Sequence, residues 1–172
     1  SGGLRRHPPT ARRSSTRFSL PAAYAVVMVA VEMTVDEVDN FLRRQGSGTL
    51  SLADGAESYA VPESFGYDGE HLYFQLVQTD DSRKMQFIER TEVATLTAWH
   101  EEPPRSVVVH GAIEPVPETE EAAAANAIAE NATVPTLNVL PDRTLDELGM
   151  TYYRLVPAER SGRKFGVAPK AE

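Results

Sequence analysis

The sequence predicts a mainly β (α+β) fold, in which five or six antiparallel strands form a small barrel with two or three helices outside it. Asp54-Gly55 and Asp68-Gly69 lie between β-rich runs, and this dipeptide between such runs indicates hairpins. Helical patterns of several turns occur in only two segments, near residues 34–46 and 119–131. A chain of 172 residues is long enough for one domain with its own core.

The first helix is predicted to begin at Thr34, because Thr34-Val-Asp-Glu37 is a capping box. Apolar side chains then recur at helical spacing, and Gly46 is expected to end the helix. Its last turn carries Arg43 and Arg44, where the helix dipole favours cations.

Strands follow from the β-rich runs between turn signals. Proline cannot donate a ladder hydrogen bond, so Pro62 is expected on an edge strand or at a bulge. Two long apolar runs joined through Pro103-Pro104 predict an antiparallel pair. The predicted strands are residues 48–52, 57–62, 71–77, 93–99, 106–114 and 150–156.

The remaining elements are helical or irregular. A short helix is expected at residues 82–90, and an alanine-rich helix with acids in its first turn at 119–131. Residues 132–142 are expected to form a loop, with a short helix at 145–148. Domain boundaries follow as an extension at 1–33, a domain at 34–160 and a tail at 161–172.

The extension allows three interpretations. Residues 1–19 contain five arginines and no acid, and no hydrophobic pattern, which is typical of disorder. The apolar run at 20–31 is too short to form a typical membrane-spanning helix. It fits a signal peptide, a strand added to the domain, or upstream sequence translated from too early a start. The last is favoured, with Met28 or Met33 as the natural beginning, because a clean domain start follows Met33.

Composition excludes several function classes. Beyond residue 19 the chain has 12 basic against 25 acidic residues, which argues against a nucleic-acid-binding body. Without cysteines there is no disulfide or thiolate chemistry. The four histidines lack metal-ligand spacing, so no metal is predicted. An acidic, lysine-poor protein with no membrane span is expected in the cytoplasm.

A candidate anion site lies where a strand turns into a helix. Asp80-Asp81-Ser82-Arg83-Lys84 follows the strand at 71–77 and precedes the helix at 82–90. A hydroxyl, a guanidinium and an ammonium beside unpaired backbone N–H groups suit a phosphate. The alternative is a solvated surface pair, with Asp80 and Asp81 as local partners of the cations.

These residues, taken together, resemble the pyridoxamine 5′-phosphate oxidase-like, FMN-binding split β-barrel superfamily. The resemblance covers residues 34–160 and rests on Pro62-Glu-Ser-Phe65, Ser82-Arg83-Lys84, Trp99-His100 and Arg105-Ser-Val-Val-Val-His-Gly111. It implies a split β-barrel of about six antiparallel strands, in which Ser82, Arg83 and Lys84 hold the FMN phosphate. The other residues that it implies at the flavin are Ala60, Val61, Pro62, Ser64, Val77, Gln78, Thr79, Arg105 and Ser106. Trp99 is a further candidate for the cofactor site, which is expected either to stack near the flavin or to fill the end of the barrel.

The resemblance also implies a homodimer with flavin at its interface, acting on a small-molecule substrate or electron donor. The oxidase itself has a Trp- and Arg-rich substrate-binding segment, which Glu159-Arg-Ser-Gly-Arg-Lys-Phe165 does not match. The expectation is therefore an FMN-dependent oxidoreductase or flavin reductase, not a pyridoxal phosphate synthase. No side chain is predicted as a catalytic residue. The alternatives are a non-catalytic flavin-binding or storage protein, and a split barrel that uses deazaflavin or heme.

Overall fold

The computed structural model describes residues 28–79, 82–131 and 149–167. The helices are α1 (Val35–Gln45), α2 (Arg83–Ile88) and α3 (Glu121–Asn131), and a short 3₁₀ turn, Glu118–Glu120, precedes α3. The strands are β1 (Met28–Glu32), β2 (Ser47–Asp54), β3 (Glu57–Ser64), β4 (Gly66–Tyr67), β5 (Leu72–Gln78), β6 (Ala94–His100), β7 (Arg105–Pro115) and β8 (Gly149–Val167).

The strands form one curled, antiparallel sheet, which confirms the predicted mainly β split barrel. Its order is β3-β2-β6-β7-β8-β5-β4, with β1 paired to the far end of β8. The long strand β8 connects three neighbours, because it pairs with β5 near its start, with β7 along most of its length and with β1 at its end. The edge strand β3 is one free end of this order.

The capping box at Thr34 is confirmed. The Thr34 N–H donates to Glu37 Oε2 at 2.9 Å, and the Glu37 N–H donates to Thr34 Oγ1 at 3.3 Å. Gly46 ends α1 in the left-handed conformation with φ 61°. Val38, Phe41 and Leu42 are buried, so α1 covers the inner side of the sheet with one apolar face.

The core lies on the inner side of the curled sheet. Alternate residues of β2 and β7 point inward and are buried, as period-2 geometry requires. Residues of α1 and α2 join the same cluster, so these helices close the barrel. The largest side chains with almost no exposure are Phe65, Phe74, Leu42, Leu50, Leu52, Leu72, Leu76, Leu96, Leu155, Val107 and Val109.

Both predicted Asp-Gly hairpins are present. β2 pairs with β3 across Gly55, and β4 pairs with β5 across Gly69, both glycines having positive φ. The pair β6–β7 is antiparallel as expected. Pro62 lies on β3, which pairs only with β2 in the sheet order, so its edge position is confirmed.

The alanine-rich helix is confirmed as α3, which covers the outer side of β4 and β5. Ala124 and Ala127 pack with Tyr73 and Val116 in a second buried cluster. The predicted loop at 132–142 and the short helix at 145–148 lie outside the described residues. In the part of the chain that is described, no helix is long and apolar enough to cross a membrane.

Two segments differ from the sequence expectation. Strand β8 continues to Val167, beyond the domain end placed at residue 160, and β1 lies within the segment expected to precede the domain. Both are held by backbone pairing, since Met28–Glu32 pair with residues 163–167. Arg-Ser-Gly-Arg-Lys lacks an apolar alternation, so side-chain patterning could not identify this half of β8 as a strand.

Candidate functional site

Helix α2 places the predicted phosphate-binding residues. Ser82 is its N-cap, and its Oγ accepts a hydrogen bond from the Met85 N–H at 3.4 Å. Met85, Phe87 and Ile88 are buried in the core. The short helix is therefore anchored by its apolar residues while its first two, Arg83 and Lys84, remain at the edge of the barrel.

Arg83 lies over two aromatic rings and has a largely exposed head. Its guanidinium carbon is 5.8 Å from the Tyr59 ring centre and 5.5 Å from that of Phe87. Such stacking holds a guanidinium in place while its N–H donors remain available. In the described part of the chain Arg83 pairs with Glu57 at 3.8 Å, and both side chains are more than 60% exposed. An ion pair between two such exposed side chains contributes little to stability, because water and salt screen it.

Lys84 is held much more closely. Its Nζ donates to Glu63 Oε1 at 2.5 Å, and the two side chains are only 19% and 13% exposed. The contact joins α2 to β3, because Glu63 lies near the end of that strand. Lys84 therefore meets a carboxylate at the position where the resemblance implies a phosphate.

Strand β3 separates two groups of predicted residues. Tyr59 and Val61 pack against the core, and Glu63 lies on the same side by alternation. Ala60, Pro62 and Ser64 point the other way, and the first two are exposed. The structure thus divides the predicted β3 residues, with Val61 inside and the other three outside.

The end of β5 leads directly into α2. Val77 is half-buried opposite Met150 on β8, and Gln78 is exposed opposite Gly149. The Gln78 Oε1 accepts a hydrogen bond from Thr151 Oγ1 at 3.1 Å. The backbone N–H of Ser82 donates to Thr79 O at 3.0 Å and turns the chain into the helix.

The structure brings Trp99 and Ser106 together and separates Arg105 from them. Trp99 is opposite Ser106 in the β6–β7 register, and Trp99 is 53% exposed. The Arg105 side chain lies on the other face of β7, the face towards α1, and Arg105 pairs with Lys164 of β8. Arg105 and Ser106 therefore lie on opposite faces of β7, and the prediction that both contact flavin stays a prediction.

The cross-strand registers define a continuous surface on the outside of the sheet, here named the outer face. One row contains Pro62, Thr49, Thr97, Val108 and Ser161, and the next contains Ala60, Ser51, Thr95, His110 and Glu159. Most members are small or carry hydroxyls, so the surface is low in relief. Trp99 and Ser106 belong to the same face, one row further along.

The two faces of β7 have different environments. Val107, Val109 and Ile113 are buried in the core. Val108 on the outer face is half-buried and Ala112 is exposed. Nothing in this chain's described residues covers Val108 completely, since α3 lies over β4 and β5 instead.

Sequence reasoning missed the residues that α2 contacts on β3. Glu57 and Glu63 are six residues apart, and even spacing places both on the same side of a strand. The spacing of the two acids is visible in the sequence, but the placement of α2 against β3 is not. Asp80 and Asp81, the local partners considered for the cations, lie outside the described residues.

A second polar cluster lies on the α1 side of the sheet. The Tyr67 hydroxyl donates to Asp39 Oδ1 at 2.6 Å, and Arg160 Nη1 donates to the same oxygen at 3.0 Å. Burial and then the hydrogen bond to Asp39 raise the pKa of Tyr67 to about 12. All these groups have partners, so the cluster fastens α1 to β4 and β8.

The described residues contain no group of three or more His, Cys, Asp or Glu side chains arranged to hold a metal ion. Nor do they contain a buried side-chain nitrogen or oxygen that lacks a hydrogen-bond partner.

Comparison with known proteins gives one family match. The family model described as pyridoxamine 5′-phosphate oxidase matches residues 34–164. No curated protein matches the sequence.

Several solved structures share the fold. A FAD-binding protein from Mesorhizobium loti has a TM-score of 0.64 at 19% identity, covering 80% of this chain and 99% of its own. A FAD- and heme-binding protein from Mycobacterium smegmatis has a TM-score of 0.59 at 16% identity, covering 83% and 76%. An F420 reductase has a TM-score of 0.53 at 18% identity, covering 71% and 94%. At these identities the likeness concerns the fold alone.

Proposed function

The chain belongs to the pyridoxamine 5′-phosphate oxidase family, and on that premise we propose that it is an FMN-binding oxidoreductase or flavin reductase. Neighbours of the same fold are named as a FAD-binding protein, a FAD- and heme-binding protein and an F420 reductase. A flavin is therefore the class of ligand that the family relationship favours. FMN is the specific proposal, because two cations, Arg83 and Lys84, begin α2, which follows β5 in the chain.

The observation that carries the proposal is the placement of Arg83. Its guanidinium is stacked on Tyr59 and Phe87, and among the described residues its exposed head pairs with one carboxylate, that of Glu57 at 3.8 Å. A fixed fork with available donors suits a phosphate, which such a fork binds in bidentate fashion. The hydroxyl of Ser82 and the ammonium of Lys84 complete a donor set that fits this anion.

Bound FMN would supply hydride or electron transfer, which is the chemistry of the cofactor itself. The contribution of this chain is binding and orientation. Arg83 and Lys84 would neutralise the phosphate. Because Ala60, Pro62 and Ser64 lie on the opposite side of β3 from the contacts of these cations, FMN would cross the free edge of this strand to place its ring on them. Backbone groups near Pro62 and the amide of Gln78 would offer hydrogen bonds to the edge of the ring.

We further propose that two copies of the chain assemble with the outer face between them. Val108 is only partly covered and lies in a low-relief row with Thr49 and Thr97. A flat aromatic ring placed on β3 would remain open to water on one side in a single chain. A second copy would cover that side, and Arg105, which lies on the opposite face of β7, would then have no direct role in the site of its own chain.

The test is a titration of FMN and riboflavin against the wild type and an Arg83→Ala plus Lys84→Ala double variant. Charge-assisted contacts to a phosphate contribute about 1.5–3 kcal/mol each, so FMN affinity is expected to fall about a hundredfold or more. Riboflavin has no phosphate, and its affinity is expected to change far less.

Arg90→Ala is the matched control. Arg90 follows α2, is exposed and pairs with Asp54 at 2.9 Å, so its removal changes net charge without touching the proposed phosphate position. The control is expected to bind FMN like the wild type. An equal loss for both ligands in the double variant, or no loss, would contradict the assignment of the phosphate position.

A further inference from the structure

The two cations of α2 have carboxylate partners on the same strand but in very different environments. The Arg83–Glu57 pair is exposed and its atoms are 3.8 Å apart. The Lys84–Glu63 pair is mostly buried and its atoms are 2.5 Å apart. Among the described residues, a phosphate can therefore reach Arg83 without displacing a close partner, whereas at Lys84 it meets a bound carboxylate.

We propose that Glu63 is a specificity-determining residue, which lowers the affinity of the site for phosphorylated flavin by holding Lys84. This inference rests on the proposed function. Lys84 has three N–H donors and Glu63 takes one of them at short range. A phosphate that binds Lys84 must either displace this carboxylate or lie close to it, and both alternatives weaken binding.

The physical reason is competition between two anions for one cation. Both side chains are largely withdrawn from water, so solvent screens the carboxylate poorly. The flavin phosphate carries about −1.5 to −2 charges at pH 7, and a nearby carboxylate repels it more strongly than it repels a neutral ribityl chain. Glu63 therefore reduces the preference for FMN over riboflavin, while leaving the ring contacts on β3 unchanged.

The experiment compares FMN and riboflavin dissociation constants in the wild type, Glu63→Gln and Glu57→Gln, using the full chain. Glutamine keeps the shape of Glu63 and removes its charge. FMN is expected to bind Glu63→Gln about tenfold more tightly, because one charge-assisted contact to Lys84 becomes available. Riboflavin affinity is expected to stay within about twofold, and Glu57→Gln is expected to change FMN affinity by less than about threefold.

The mechanism through Lys84 is tested in a Lys84→Ala background. There the gain from Glu63→Gln is expected to shrink, because the cation that it frees is absent. If Glu63→Gln raises FMN affinity equally in the Lys84→Ala background, Glu63 does not act by holding Lys84. The inference is then overturned in favour of direct repulsion between Glu63 and the phosphate. If Glu63→Gln does not fold, Glu63→Asp replaces it, since a shorter carboxylate also releases Lys84; its expected gain is about threefold.

The failure of this inference differs from the failure of the proposed function. If the wild type binds both flavins but Glu63→Gln leaves FMN affinity unchanged or weaker, Glu63 only fastens α2 to β3 and the inference is overturned. If no variant binds either flavin, the proposed function fails and the inference fails with it.

Discussion

A single buried amide links three elements. Asn131, at the end of α3, donates from Nδ2 to Leu42 O on α1 and to Phe65 O between β3 and β4, both at 3.1 Å. The residue is 8% exposed. Asn131→Ala would leave two buried carbonyl groups without this donor, and each such group costs about 1–3 kcal/mol.

Asn131→Ala is therefore expected to lower the free energy of unfolding by about 2 kcal/mol or more in urea denaturation. Asn126→Ala is the control, because Asn126 lies on the same helix and is exposed. Its effect is expected within about 0.5 kcal/mol. Equal effects of the two substitutions would show that the amide contacts add nothing to stability.

At the residue scale, the sequence identified the cations of the candidate site but not their partners. Ser82, Arg83 and Lys84 follow a strand in the chain and precede a helix, and local order reveals such a position. Glu57 and Glu63 meet them only because α2 folds back onto β3. That approach depends on tertiary packing, which residue spacing does not encode.

At the element scale, α3 packs directly against the backbone of β4, because Gly66 has no side chain at the contact. A Cβ added at Gly66 would lie 2.4 Å from both the Ala127 carbonyl carbon and the Ile128 nitrogen. Gly66→Ala must therefore push the helix backbone away. The expected loss of stability is about 1–3 kcal/mol by thermal or urea unfolding.

Gly149→Ala is the matched control for this prediction. A Cβ at Gly149 would make ordinary contacts at 3.7 Å with Gln78. It is expected to change stability by less than about 0.5 kcal/mol. If Gly66→Ala were as stable as Gly149→Ala, the close packing of α3 on β4 would be wrong.

Most elements could be predicted because the residues at their ends form caps and turns that depend only on neighbouring residues. The capping box at Thr34, the left-handed Gly46 and the two Asp-Gly turns all act within a few residues. The second half of β8 could not be predicted, since its residues are polar on both sides. It is a strand because β7 and β1 supply backbone partners on either side.

At the scale of the whole molecule, the outer face is the surface proposed to contact a second copy. Ser106 lies on it, half-buried between Trp99 and Arg163 in the cross-strand register. Ser106→Arg would place a second guanidinium beside Arg163 in the proposed interface, where like charges repel and burial without a partner is costly. Dimerisation and FMN affinity are both expected to fall by at least about tenfold.

Light scattering and FMN titration on the same samples check this prediction. Asn126→Arg adds the same charge on α3, which covers β4 and β5 and not the outer face. This control is expected to remain a dimer with normal FMN affinity. A dimeric Ser106→Arg protein with normal FMN affinity would place the interface elsewhere. A monomeric wild type with full flavin occupancy would exclude a shared site.

Flavin binding by this family member is tested most directly by the absorption spectrum of the purified 172-residue chain after incubation with FMN and removal of free ligand. The predicted result is an oxidised-flavin spectrum with one FMN per chain, which is bleached on reduction. A protein that retains no flavin, or one that is purified with a heme or deazaflavin spectrum and excludes FMN, would contradict the account.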